Sequence, residues 1–474
     1  MQSIIRRGSN CWKVARANRF GVIVDAGDYF PAVKDAILQA RESVCLIGWD
    51  FDTRIKLEVP EPHQEGPNKL GRFLRWIAKR RPELQIYVLR WDLSAFNGLF
   101  RGTMPFRLLD LMTASNIRFK LDGAHPTGSA HHQKIVVIDD VLAFCGGIDM
   151  TADRWDTPQH LDRDVRRRRP SGKLYGPWHD ATSVLDGPVA RLLGDLARDR
   201  WHAATGEHLP IPSGARPIWP AAIEPLMTDV DVAIARTLPA HADQPEVREI
   251  EQLYLDGIAG ARHTIYFESQ YFASRRIAEA IAARLREPDG PEVVVVNPRS
   301  ADGLIEAKTM DTARARLLGL VREADRWGRF HIYTPVTANG VAIYVHAKVM
   351  IVDDRFLRIG SSNLNNRSLG FDSECDVAID AAGQADPGAV SEAITRVRNG
   401  LVAEHLGTTA ASLQAALDAS GGLLADAIER TRGQGKTLVP YVPDEIGPIE
   451  ELLAENELLD PERHKRWQDL LLGR

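Results

Sequence analysis

Two short stretches of the chain carry residues able to do phosphoryl chemistry. His132, Lys134 and Asp139 stand as His-x-Lys-x4-Asp, and the same spacing returns at His346, Lys348 and Asp353. After six intervening residues each aspartate is followed by a small-residue cluster, Gly146-Gly147-Ile148-Asp149 and then Gly360-Ser361-Ser362-Asn363. At average composition, two such matches arise by accident in fewer than about 1 in 1,000 chains. Residues two apart on a strand face one side, so each pair aims an imidazole and an ammonium in the same direction. The lysines offer fixed positive charge to non-bridging phosphate oxygens. A neutral imidazole can attack phosphorus, and a second, protonated one can protonate the leaving oxygen. One half-site lacks one of those histidines, so both are required. Metal binding is the rival reading of paired histidines. Two ammonium groups beside them would repel a divalent cation, and no carboxylate cluster accompanies them, so neither a metal nor another cofactor is expected. Asp139 and Asp353 fall at strand ends, where turn chemistry favours aspartate, and are read as structural.

The elements that must hold these residues follow from periodicity. FGVIVDA, DYFPAVKDAILQARES and VCLIGWDF read as strand, helix and strand, followed by helical LGRFLRWIAKRR, the strand LQIYVLRWD, a further helix, the strand IRFKLDG, and two β-rich runs around Asp139-Asp140 as a tight turn. The grammar repeats from DVAIART to VHAKVMIVDDRFLRIGSSN, so the chain reads as a duplication. The expected fold is α/β, with two pseudo-duplicated lobes, each a mixed sheet flanked by helices, and the active site at their interface. The expected boundaries are an N-terminal lobe over 1–205, a Pro/Gly-rich connector over 206–229, a C-terminal lobe over 230–400 and a helical extension over 401–474.

Composition excludes little. With 474 residues the chain exceeds what one core usually serves, and 44% apolar with 26% charged residues is ordinary for a globular protein. A net charge of −5 gives no global basic field, so nucleic acid is not an expected partner. Cys11, Cys45, Cys145 and Cys375 lack ligand or disulfide spacing and read as buried free thiols. Neither a signal-peptide pattern nor a membrane span is read, which points to a cytoplasmic or peripheral membrane protein, non-classical export aside.

The duplicated motif resembles that of the phospholipase D superfamily, HxKx4D followed by x6-G-[SG]-x-[ND], over roughly Asn18 to Asp380. GGIDMTADRWDTPQH, YGPWHDATSVLDGP, IYFESQYF and HAKVMIVDDRFLRIGSSNLNNRSLGFDSECD are similar to the phospholipase D enzymes proper. The resemblance implies hydrolysis of the distal phosphodiester bond of a glycerophospholipid at a membrane surface, through a phosphohistidine, with transphosphatidylation when an alcohol replaces water. It implies that His132 is the nucleophile and His346 the general acid, that Lys134, Lys348 and Asn363 contact phosphate, and that Asp180 and Glu374 each orient an imidazole. Asp149 departs from the pattern, a carboxylate in place of an amide that should point away or meet Arg154, and Gly147 stands where serine is usual. A monomer is expected, since one chain holds both motifs. The alternatives are a cardiolipin-synthase-like phosphatidyltransferase, a nuclease or other phosphodiesterase of the same superfamily, and a silent scaffold.

Bland readings come first for other residues. His131, His160 and His179 read as core or surface histidines, and no single residue among Trp49, Trp91, Trp155 and Trp178 is singled out. Asp50 and Glu268, at comparable strand ends, read as a site rim. The run Arg166–Arg169 reads as a loop with an affinity for anionic lipid or a nucleic-acid backbone.

Overall fold

A computed structural model describes residues 2–92, 114–213, 216–301, 304–443 and 460, the side chains of 304–309 excepted. The helix expected between LQIYVLRWD and IRFKLDG, and the one expected over IEELLAENELLDPERHKRWQDLLL, lie outside the described residues. The first lobe contains β1 (Lys13–Val24), α1 (Ala26–Gln39), β2 (Ser43–Gly48), α2 (Leu70–Arg80), β3 (Gln85–Trp91), β4 (Ile117–Asp122), β5 (Ile135–Ile138), β6 (Leu142–Gly146), β7 (Trp178–His179), β8 (Ala181–Asp186) and α3 (Pro188–Thr205). The second contains β9 (Met227–Leu238), β10 (Val247–Arg248), α4 (Glu249–Gly260), β11 (Thr264–Glu268), α5 (Arg275–Leu285), β12 (Glu292–Val296), α6 (Leu304–Ala324), β13 (Phe330–Val336), β14 (Tyr344–Val345), β15 (Val349–Val352), β16 (Phe356–Gly360), β17 (Glu374–Asp380) and α7 (Pro387–His405). Then come α8 (Ala410–Ala419), α9 (Leu424–Thr431) and β18 (Thr437–Pro440).

Local sequence accounts for these elements. The β12 run Glu292–Val296 is buried throughout and pairs in parallel with β11 and β13, as a β-branched run covered on both faces should. In α2 the residues Leu70, Phe73, Leu74 and Ile77 recur at helical spacing and are buried, so one stripe of the helix faces the sheet.

Strand order displays the duplication. From one edge the first lobe runs β4-β3-β2-β5-β6-β8-β1, and the second runs β13-β12-β11-β15-β16-β17-β9 in matching positions. The two sheets do not merely face each other. β1 pairs with β8 over Phe20–Val24 and with β9 over Lys13–Phe20, so they fuse edge to edge into one 16-stranded sheet. β9 begins at Met227, inside the stretch read as connector, because its first residues are needed to pair with Phe20 and Arg19. After α9 the chain returns as β18 beside β13, an edge strand where only helix was expected.

Helices cover both faces. α1 and α2 close a core over β2, β5 and β6, while α4, α5 and α6 do the same over β11, β12 and β15. On the opposite face α3, α7, α8 and α9 cover one cluster that takes in Ile47, Val137 and Cys145 from the first lobe and Val294, Val349 and Ile359 from the second. All four cysteines are buried and free, as read. Among the described residues no helix is long and apolar enough to cross a membrane.

Candidate active site

Each motif begins in an extended segment just ahead of a strand. His132 and Lys134 precede β5, and His346 and Lys348 precede β15, so the side-by-side aim survives although neither pair lies in a named strand. The reason is where the backbone bonds go. His132 donates its N–H to Ser373 O at 2.9 Å, and His346 donates to His179 O at 2.8 Å, each across to the other lobe.

The side chains cross in the same way. His132 Nδ1 lies 2.9 and 3.0 Å from the Glu374 carboxylate oxygens, and His346 Nδ1 lies 2.7 Å from Asp180 Oδ2. Each imidazole is therefore oriented by an acid of the opposite lobe, with Nδ1 facing the carboxylate and Nε2 as the remaining ring nitrogen. Glu374 is fixed in turn by Ser368 Oγ at 2.7 Å and by Ser361 Oγ, while Asp180 accepts from Ala181 N at 2.8 Å. Gly147, which matches Ser361, has its own reason: a Cβ there would stand 2.2 Å from Asp180 Oδ1. Gly146 and Gly360 are equivalent close approaches, to Thr182 and Asp376.

The lysines are not equivalent. Lys134 Nζ donates to His132 O at 3.0 Å and lies 3.2 Å from Asp149 Oδ2. Asp149 also accepts Trp49 N at 3.0 Å. The carboxylate at this position thus anchors a lysine, with Lys134 as its ion partner where the reading allowed either an outward orientation or Arg154. Lys348 Nζ donates to His346 O, and among the described residues no carboxylate oxygen is shown within ion-pair distance of it. Asn363 is buried, and its Oδ1 has no hydrogen-bond partner.

Burial dominates the electrostatics. It pushes both His132 and His346 well below the usual imidazole range, and the fields of Lys134 and Lys348 push each further. That both lysines act on both rings places the two half-sites in one electrostatic centre. Burial also drives the Lys348 ammonium down to about 7 and the Glu374 carboxyl up to about 7, and it raises Asp180. In the free protein both imidazoles are neutral.

Several neighbours were missed or left unranked in the sequence. Arg154 stacks on Trp178, 4.3 Å from the ring centroid, and its charge reaches His346 and Asp180. Trp178 lies 5.1 Å from the His346 ring, and Trp49 lies edge-on 6.3 Å from His132, so one indole flanks each imidazole. Trp91 stacks on Trp49, and Trp155 is buried. Ser368 belonged to a quoted stretch but carried no spacing signal. His131 is a core histidine as read, with Nδ1 2.8 Å from Ser373 Oγ. Asp50 bonds Thr151 and pairs with Arg90 near the surface, as a rim residue would. Glu268 is not a rim residue: it is fully buried between His179 and His405. In the arginine run, Arg167 is buried against Asp156, Arg166 pairs with Asp164 and Arg169 with Asp153, which leaves Arg168 exposed on backbone carbonyls.

Asp139 and Asp353 do the same work in each lobe. Both sit in left-handed backbone, φ 50° in each case, at the start of the turns Asp139-Asp140 and Asp353-Asp354. Asp139 accepts N–H groups from Arg41, Glu42 and Ser43 at 2.7–2.8 Å, and Asp353 accepts those of Arg262, His263 and Thr264 at 2.7–3.0 Å.

The chain is similar to known proteins over most of its length. A family model described as "Cardiolipin synthase, PLD-like domain" matches residues 254–394. Phospholipase D A of Dictyostelium discoideum is 26% identical over 422 residues, covering 75% of this chain and 32% of that protein. Phospholipase D alpha 1 of Carica papaya is 24% identical over 485 residues, covering 74% and 60%. The chain thus spans between a third and three fifths of the length of these relatives. Among solved structures, phosphatidylserine synthase of Haemophilus influenzae superposes with a TM-score of 0.58 at 14% identity, covering 96% of this chain and 94% of that one, which is a likeness of fold. The duplicated motif, the family model over 254–394 and these relatives support the phospholipase D superfamily as the family that this chain resembles.

Proposed function

We propose that this protein is a phospholipase D, an enzyme that hydrolyses the distal phosphodiester bond of glycerophospholipids to phosphatidate and an alcohol. The observation that carries the reading is the crossed pairing of His132 with Glu374 and His346 with Asp180, with a lysine two residues beyond each imidazole. Burial disfavours a proton on either ring and the lysine field adds to it; a phosphodiester monoanion entering between Lys134 and Lys348 would offset that added field, so one ring could then carry a proton. In the first step His132 Nε2 bonds to phosphorus and the P–O bond to the head-group alcohol breaks, with His346 giving its proton to the departing oxygen. In the second, His346 takes a proton from water, whose oxygen bonds to phosphorus and releases His132. The assignment of nucleophile and acid to these two rings rests on the family resemblance.

Two features support a lipid over a nucleic acid. The names of the similar proteins are one. The other is the surface ahead of the half-sites: the loop 156–176 leads into Trp178, and the turn 337–341 leads toward Tyr344, with Asp162 bonding Thr337 and Asn339 between them. These two loops expose Leu161, Val165, Leu174 and Val341 beside Arg163, Arg168 and Lys173, an apolar and basic mixture suited to an anionic bilayer surface. We infer a monomer that works at such a surface, since one chain supplies both half-sites.

A second reading is phosphatidyl transfer to an alcohol, favoured by the description of the matching family model. It shares the intermediate and differs in what enters. Mass spectrometry of products from mixed phospholipids, with and without ethanol, is expected to give phosphatidate alone and then phosphatidylethanol as well. Absence of phosphatidate would remove the hydrolase reading. His132→Asn and His346→Asn should each lower turnover by about 10³-fold or more with the circular dichroism spectrum unchanged, and substantial activity in either would defeat the shared centre.

A further inference from the structure

Past β18 the chain comes back to the candidate active site through Asp460, which is 5% exposed and bonds the turn that follows the second motif. Its Oδ2 accepts Asn366 N at 3.0 Å, its Oδ1 accepts Arg367 N at 2.8 Å, and its carbonyl accepts Asn366 Nδ2 at 3.3 Å. Those two N–H groups open a single π-helical turn, Arg367–Phe371, to which the side chain of Asn366 supplies no cap. The first N–H groups of a helical turn lack acceptors within it, so Asp460 does from far along the chain what a cap residue does locally.

The same turn assembles the first half-site. Ser368 Oγ donates to Glu374 Oε1 at 2.7 Å, and Glu374 faces His132 Nδ1 at 2.9 and 3.0 Å. Phe371 O accepts Ser129 Oγ at 2.6 Å, Arg367 donates to Gly128 O at 2.7 Å, and Asp372 Oδ1 accepts Ala130 N at 2.7 Å, all on the stretch that runs into His132. A shift of the turn would therefore reach the imidazole and its acid together. Burial pushes the Asp460 carboxyl up to about 7, and its charge is answered by the two N–H groups and the Arg367 guanidinium. The sequence adds a reason for the contact to fall here: Asp460 precedes Pro461, and a residue before proline is biased out of helical backbone, which favours a break in the expected helix at this point.

We propose that Asp460 is a positioning residue for the His132 half-site, holding the turn 366–372 so that Ser368 keeps Glu374 behind the imidazole. It touches no substrate and acts through Glu374. The inference rests on the reading of His132 and Glu374 as a catalytic pair, and is independent of which phosphodiester they cleave. The sequence reading placed no functional residue in the extension 401–474, because this contact joins residues 94 and 93 apart with no spacing to reveal it.

The test is made in the full-length chain. Asp460→Asn keeps the shape but turns an amide N–H toward a backbone N–H, and should lower kcat on phosphatidylcholine about tenfold with KM changed less than about twofold. Ser368→Ala should lower kcat comparably, and the double variant should be within about twofold of the slower single one, since both changes release the same carboxylate. Should Asp460→Asn not fold, Asp460→Glu, which keeps the charge on a longer arm, runs the same cycle. Side-chain NMR of protein labelled with ¹⁵N-histidine reads the half-site without substrate: the His132 ring signals, assigned with His132→Asn, are expected to shift in the Asp460 variant. Unmoved His132 signals would overturn the proposal, as would an unchanged kcat or losses that multiply in the double variant. A chain that turns over no phospholipid would sink the phospholipase reading instead, and the His132 signals would then decide the role of Asp460.

Discussion

The two lysines of the half-sites differ in what surrounds them. Lys134 keeps Asp149 beside it, whereas burial holds Lys348 down to about 7. A lysine lowered in this way is charged below that pH and loses its charge as pH rises through it, so anion binding that needs the ammonium weakens on the alkaline side. Sulfate, an anion whose own charge is constant from pH 6 to 9, should bind the His132→Asn protein about tenfold more weakly per pH unit above 7. Calorimetry finding a flat profile would mean that Lys348 is not the titrating group. The carboxylates behind the rings give a second residue-scale expectation: Glu374→Gln and Asp180→Asn should each lower kcat on the order of 10²–10⁴-fold with little change in KM, because a ring loses its orientation and the partner of its charged form. His132, Lys134, His346 and Lys348 were legible because their spacing repeats. That each ring takes its acid from the other lobe was not, since the partners are 242 and 166 residues apart. Arg154 was not legible either, because its place is set by stacking on Trp178, which leaves no spacing to read.

Among the elements, the two hairpins that follow the motifs are held by one device. Asp139 and Asp353 each gather three backbone N–H groups at the start of the neighbouring strand, β2 or β11, and so set the register in which that strand pairs with β5 or β15. Replacing either by alanine removes three charge-assisted bonds, part of whose loss water makes good, and should lower stability by about 2–4 kcal/mol. Urea unfolding would measure this, and a loss below about 0.5 kcal/mol in both variants would contradict the clamp. This part of the reading came easily, because an aspartate pair between two β-rich runs is a local turn signal. β18 did not, since Thr437–Pro440 is too short for a period and is strand only because β13 offers it an edge. The departure of both His-Lys pairs from their strands was equally unreadable, as it depends on backbone bonds to the other lobe.

At the scale of the whole molecule, the duplication was visible in the text, but the fusion of the lobes was not. β1 and β9 share a long seam, and one apolar cluster runs beneath both lobes, so the halves are joined by a sheet and a core as well as by a linker. The basic, apolar loops at 156–176 and 337–341 sit on one side of this body. Leu161→Asp with Val165→Asp should weaken binding to phosphatidylcholine–phosphatidylglycerol vesicles by about tenfold, as sedimentation would measure, while turnover of a short-chain monomeric lipid falls far less. Equal loss on both substrates would argue for damage to the centre instead. The crossed pairs carry one more consequence. Because neither half owns a complete imidazole–acid couple, the described residues 210–212 need only tether: fragments severed there and produced together should reassemble along the β1–β9 seam and regain turnover, whereas either fragment supplied singly should stay inert at any concentration.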